Sequence, residues 1–239
     1  MHWCSGGGRQ AGGRGNEEEA SMREGARRGF ALAGLVFLGG CVSVSRENQQ
    51  PMHTYLLNPE PAAVESVLAV PKPPVGVLLI AVPQAQPGFD SPRMAYAQRP
   101  FEVHYYSANQ WADAPTRLLA PLLVRMAEQR GVARTVVALP SSVRGDVRLD
   151  IDQLALVQEF WQPPSRVRGA FRAQLVKLPE QIVLGSRQFE ATESAPSDDA
   201  YGGATAANRV VAALLEHVSN WALGCLKGSS APCASSMQP

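Results

Sequence analysis

Histidine and cysteine are scarce in this chain, with four of each among 239 residues. His53, His104 and His217 stand far apart, and neither CxxC nor HExxH occurs. Ligands at metal spacing are therefore missing, and neither a metal nor a cofactor is expected. An excess of charge is missing too. The first forty residues hold five arginines and four glutamates, which leaves 17 basic and 17 acidic side chains in residues 41–239. That balance lacks the basic stripe that nucleic acid requires. No apolar run reaches the roughly 20 residues that a membrane-crossing helix needs. The G-x-S-x-G elbow of serine hydrolases is absent. Gly202-Gly203 precedes a helical stretch but has neither a preceding strand nor a third glycine, so it is not a phosphate cradle. Together these gaps favour binding or scaffolding over catalysis, and the chain is not expected to be an enzyme.

What is present begins with RRGFALAGLVFLGGC, Arg27 to Cys41. Arg23, Arg27 and Arg28 form a positive flank, Phe30 to Leu38 is an apolar run of nine residues, and small residues follow. A basic flank, a short apolar core and a small-residue exit make a secretory signal. Leu38-Gly39-Gly40-Cys41 adds the pattern of a bacterial lipobox. There the thiol is needed for a thioether to lipid, and the small residues let a peptidase approach the backbone. A buried helix ending at the glycine pair would show an amphipathic face or a cap, and neither frames the run. Residues 1–40 are thus expected to be a signal peptide, with Cys41 the lipid attachment site and the first residue of the mature chain. Met22 opens a better-proportioned signal than Met1, so residues 1–21 read as an overrun of the start site. Two or more acyl chains hold a membrane stably where one does so marginally. A lipoprotein cysteine carries several, so the expected attachment is a permanent lipid anchor.

Residues 41–74 are rich in proline and polar side chains and read as a tether. Within it, Tyr55-Leu56-Leu57 is an apolar knot suited to an edge strand. The folded domain is expected over residues 75–226. Gly76–Val82 is an unbroken apolar run of strand length. Met94–Gln98 and Phe101–Ser107 read as strands joined by a turn at Arg99-Pro100, and Thr135–Leu139 as another strand. Between them, Leu118, Leu119, Leu122, Leu123 and Met126 recur at helical spacing. Asp113 is the expected N-cap of that helix and Gly131 its stop, with Pro121 predicting a kink or a later start. From Val147 an alternating strand slips phase at Gln153, as a bulge would cause. Residues 166–178 and 181–191 form a hairpin pattern turning at Pro179-Glu180. The clearest helix runs over residues 203–226, and residues 227–239 have the composition of a disordered tail. The expected class is α/β, a single domain with a mixed, largely hairpin-connected sheet packed with two main helices.

Candidate chemistry is sparse. Asp150 and Asp152 occupy one strand face, where they suit either a cation and acid–base work or an ordinary solvated face. Cys225 and Cys233 either pair across LKGSSAP in an oxidising compartment or remain a helix residue and a loose tail residue. Tyr96, Tyr105, Tyr106, Trp111, Phe160 and Trp161 gather around one strand pair and its neighbour. They suit core and rim packing, or a contact surface with Tyr105, Tyr106 and Trp111 as its partner-binding residues.

The order of pieces resembles a known family. A lipobox cysteine is followed by TYLL, a GVLLIAVP strand, the block RMAYAQRPFEVHYYSANQWADAPTRLLAPLL and a closing ANRVVAALLEHVSNWA. Over Tyr55 to Leu226 the chain is similar to the ABC-type transport auxiliary lipoproteins, the PqiC-like group, with Trp111–Pro115 the most specific part. The resemblance implies one α/β domain anchored to the inner leaflet of the outer membrane of a Gram-negative bacterium, on its periplasmic face. It implies partnership with an MCE-domain protein and an inner-membrane ABC transporter that move phospholipid or other hydrophobic compounds. Members form rings with that partner, which allows a homo-oligomer here. Val42 and Ser43 suit the outer membrane, since inner-membrane retention uses an aspartate directly after the cysteine. Two other readings stand beside it: a structural envelope-assembly lipoprotein, and a periplasmic hydrolase using Asp150 and Asp152.

Overall fold

The computed structural model describes residues 51–59, 73–228 and Cys233. The signal segment, the Cys41 lipobox, most of the proline-rich stretch and the rest of the tail lie outside the described residues. In chain order the elements are β1 (His53–Tyr55), β2 (Val75–Ile80), β3 (Arg93–Ala97), β4 (His104–Trp111), α1 (Pro115–Gln129), β5 (Ala133–Ala138), β6 (Val147–Glu159), β7 (Arg166–Lys177), β8 (Ile182–Ser194) and α2 (Ala200–Leu226). All eight strands join one sheet.

The alternating stretch at residue 147 becomes the central strand. One edge of β6 pairs with β7 along its whole length. The other edge is divided. β2 runs parallel to its start, with Ile80 opposite Leu149, and β3 runs parallel to its end, with Ala97 opposite Glu159. β5 extends the β2 side, while β4 and then β1 extend the β3 side. The pairs β3–β4, β6–β7 and β7–β8 are antiparallel, whereas β1–β4, β2–β5, β2–β6 and β3–β6 are parallel.

The phase slip is a bulge. Asp152 pairs with Arg172 and Ala155 with Ala170, so β6 carries one extra residue there. Gln153 adopts φ 57°, in the left-handed region. Because of that residue, Val147, Leu149 and Ile151 and then Leu154 and Leu156 all reach the same core.

α1 and α2 cover this face of the sheet. α2 supplies Val210, Val211, Leu214, Leu215 and Val218, each nearly inaccessible, against Phe171, Leu175 and Phe189. α1 adds Leu119, Leu122 and Leu123. Among the described residues no helix is long and apolar enough to cross a membrane.

Several boundaries differ from the sequence reading. The N-cap of α1 is Ala114, not Asp113. Pro115, with its fixed φ, takes the first helical position, and Asp113 instead accepts from the Ala114 N–H at 2.7 Å and pairs with Arg117. Pro121 does not delay the helix, which begins at Pro115 and runs through it. Both Pro121 and Arg117, whose carbonyl loses its partner, face solvent. Finally, the domain starts before residue 75. β1 joins the sheet, Leu57 is buried in the core, and Asn208 of α2 grips residues 56 and 58, accepting from the Asn58 N–H and donating to the Leu56 carbonyl. Residues 53–58 therefore belong to the fold rather than to a tether.

α2 also starts early, at Ala200, because Asp199 caps it. Its carboxylate accepts from the Gly202 N–H at 2.7 Å. Gly202 and Gly203 lie in the first turn because nothing larger fits: a Cβ on Gly202 would strike the Ser197 carbonyl, and one on Gly203 the Gln158 side chain. The Gly202 N–H, and after it the Ser197 hydroxyl, holds the Asp199 carboxyl below its ordinary value. This contribution is full above about pH 4, the unfolded value, and is lost as pH falls through the depressed folded value. Asp199→Ala should cost about 1 kcal/mol near neutral pH. The gap between variant and parent in urea midpoints should then narrow as the pH drops below about 4.

Candidate functional site

The helices sort the aromatic residues by sheet face. Trp111, only 3% exposed, lies in the core beside Met94, so its indole presents nothing to a partner. Tyr106 is on the same face, half-buried, and donates to Gln158 Oε1 at 3.0 Å. Gln158 in turn donates to Ser165 Oγ at 2.9 Å and to the Asp199 carbonyl at 3.2 Å. This chain of polar groups ties β4, β6 and the start of α2 together. Burial, reinforced by the Asp199 charge, pushes the Tyr106 hydroxyl far above its ordinary value, so it stays a neutral donor. Tyr96 packs on Tyr106 and His104 with centroids 4.8 and 5.3 Å away, and Phe160 meets it edge-on.

The opposite face of the sheet carries no helix among the described residues. Its β6 side chains are Asp150, Asp152, Ala155, Val157 and Glu159, the alternates of the core series. Asp150 and Asp152 do share that face, but each is engaged by a guanidinium: Arg148 on Asp150 and Arg172 on Asp152, both at 2.7 Å. Among the described residues no group of three or more His, Cys, Asp or Glu can hold a metal. Two carboxylates occupied by arginines are poorly placed as a general base or a cation site. Partly exposed pairs of this kind contribute little stability. The third pair differs. Glu159 is 5% exposed at its side chain and is met by Arg168 at 2.7 Å.

Beyond these pairs the face becomes apolar. Tyr105 lies here, donating its hydroxyl to the Gly88 carbonyl at 2.7 Å while the Arg93 guanidinium sits 3.8 Å over its ring. Phe89, Ala97 and Val157 line a groove of about 430 Å³, bordered by Phe101, Val103 and Trp161. Phe101, at the tip of the β3–β4 turn, is fully exposed and has φ 67°. A bulky residue in that region costs roughly 1–3 kcal/mol and persists where its surroundings impose it. Val103 and Trp161 are each 44% exposed. Sequence reading placed Phe101 inside a strand, although the adjacent Arg99-Pro100 turn was the signal that it belongs to the loop. Trp161 was noticed only as one aromatic among six.

Two further residues singled out in the sequence, Cys225 and Cys233, lie with Cα atoms 5.0 Å apart and sulfurs in contact. That separation is within the range of a bridge. Cys233 also backs onto Gly185 of β8, where an added Cβ would meet its carbonyl at 3.0 Å. His217 is exposed on α2, and His104 pairs with Glu102 through Nε2 at 2.9 Å. Cys41 is outside the described residues.

With the fold in hand, comparison with known proteins is informative. The model of the ABC-type transport auxiliary lipoprotein component family matches residues 55–219, and the chain belongs to that family. The protein XCC0632 of Xanthomonas campestris, a DUF330 protein, has a similar structure, with TM-score 0.63 at 24% identity over 75% of this chain and 98% of its own. A second, uncharacterized protein gives TM-score 0.52 at 13% identity over 71% of this chain and 97% of its own. At such identities the likeness is one of fold. No curated protein matches the sequence.

Removing Arg168 leaves Glu159 buried without its partner. Arg168→Ala should lower stability by roughly 1–3 kcal/mol, and Glu159→Gln in the same chain should recover much of that loss in urea unfolding. Alkylation and mass analysis without reductant should find no free thiol at Cys225 or Cys233, and reduction should expose both.

Proposed function

We propose that this protein is a non-enzymatic accessory subunit of an ABC transporter system of the MCE type that moves phospholipid or other hydrophobic compounds between membranes. It works from the periplasmic face of the outer membrane, to which Cys41 anchors it. The observation that carries the reading is the family match over residues 55–219 on a fold whose catalytic candidates are otherwise occupied. The signal pattern ending at Cys41, and the absence of aspartate after it, support the compartment.

The partner-facing surface is the helix-free side of the sheet, with Tyr105 and Arg93 at its centre. A half-buried tyrosine under a guanidinium is a rigid anchor of the kind that carries interface energy. Tyr106 and Trp111 contribute from beneath, by packing β4 onto the core. An alternative role in envelope assembly would use the same surface on a different protein of the outer membrane.

Crosslinking in intact cells followed by capture from solubilised membranes should recover an MCE-domain protein. Tyr105→Ala should reduce the yield at least tenfold without changing the level of the lipoprotein. Recovery of only outer-membrane proteins, with no MCE protein, would move the assignment to envelope assembly.

A further inference from the structure

One end of the domain gathers its exposed aromatic residues. β3 and β6 finish side by side, Ala97 opposite Glu159, so the loops that follow them, carrying Phe101 and Trp161, project from the same end of the sheet. β7 begins there, Arg166 opposite Glu159, and β8 ends there, Ser194 opposite Arg166. Phe101, Val103 and Trp161 are thus three large, solvent-facing side chains brought to one groove from two separate connections.

β1 enters the described domain pointing away from that same end. β1 is parallel to β4, with His53 opposite Asn109 and Tyr55 opposite Trp111. Followed backwards from His53, the strand direction therefore runs toward the start of β4 and the Phe101 turn. Pro51 already lies beside Ala108 and Asn109. Cys41 stands ten residues before Pro51, and a chain of that length spans at most about 35 Å. An anchor on Cys41 would keep Pro51 within about 35 Å of the surface in which the lipid is embedded.

We propose that this end of the domain rests on the lipid bilayer, with Phe101, Val103 and Trp161 inserted at the headgroup–acyl boundary. The proposal rests on the reading of Cys41 as lipidated. The residue types fit: Trp and Tyr settle at membrane interfaces through an apolar body and a polar tip, and apolar side chains that enter the boundary region add attachment beyond a lipid anchor. Charge does not oppose it: Arg99, Arg166 and Arg168 stand against Glu102, Glu159 and Asp198, so the rim of the patch is electrically balanced. The left-handed backbone of Phe101 holds its ring fully in water, where an apolar surface can meet it.

The test uses the processed full chain in vesicles of phosphatidylethanolamine and phosphatidylglycerol, with plain or brominated acyl chains, which quench tryptophan on contact. Trp111 and Trp221 are each 3% exposed and buried in the core, so Trp161 is the reporter. Brominated vesicles should quench part of the emission, Trp161→Phe should abolish that component, and Phe101→Asp with Val103→Asp should at least halve it. Equal emission from both vesicle types, or quenching that survives Trp161→Phe, overturns the proposal and points to a protein partner at this end. Intact mass of the mature chain reads acylation of Cys41 separately. If Cys41 is free, the same chain should still sediment with the vesicles through the tip, and Phe101→Asp should weaken that at least tenfold; absence of sedimentation overturns the tip contact on its own.

Discussion

A strand has only two edges, and β6 has to serve three neighbours. β7 takes one edge completely, so β2 and β3 must divide the other, and the division falls at the bulge. The extra residue at Gln153 resets the pleat between the part that pairs with β2 and the part that pairs with β3. Without it, the residues beyond Ile151 would change faces. Glu159 would then point at α2 and Leu156 at solvent. The helix-covered core, the ion pairs and the apolar end all follow from one left-handed residue.

That bulge also shows where sequence was sufficient. The alternation Val147, Leu149, Ile151 and its resumption at Leu154 can be read directly, because period two is broken once and restored. The hairpin at Pro179-Glu180 and the body of α2 were equally plain. Topology was not. Nothing local in GVLLIAV says that β2 will lie between β5 and β6 or that both of these neighbours will be parallel, since parallel pairing is decided by distant segments. The early start of α2 was hidden for a similar reason. In the sequence Gly202-Gly203 stands at the threshold of the helix, and only the Ser197 carbonyl and Gln158 pressing against those positions show why two glycines belong in its first turn.

The candidate surface was legible only in part. The sequence grouped the aromatics correctly around β3 and β4 but could not divide them between two faces. Alternation puts Tyr105 and Tyr106 on opposite sides, so one of them had to be structural; only the position of the helices tells which. Trp111 is the opposite case: the block that makes the family resemblance specific is a packing feature, the buried indole ahead of the Pro115 turn. Specificity of a motif and exposure of a site are separate properties.

The parallel pairing of β1 with β4 has a mechanical meaning. Any tension on the chain upstream of Pro51 enters the domain through β1 and along the strand axis. The backbone bonds between β1 and β4, the Ala112 N–H to the Tyr55 carbonyl at 2.7 Å and the grip of Asn208 then carry load together in shear, instead of opening one after another as a peeled hairpin would. With only three residues, β1 is still the first element to yield. Its loss would unseat Leu57 and bare the edge of β4, so a strong enough pull would exchange a three-residue edge strand for a longer exposed one.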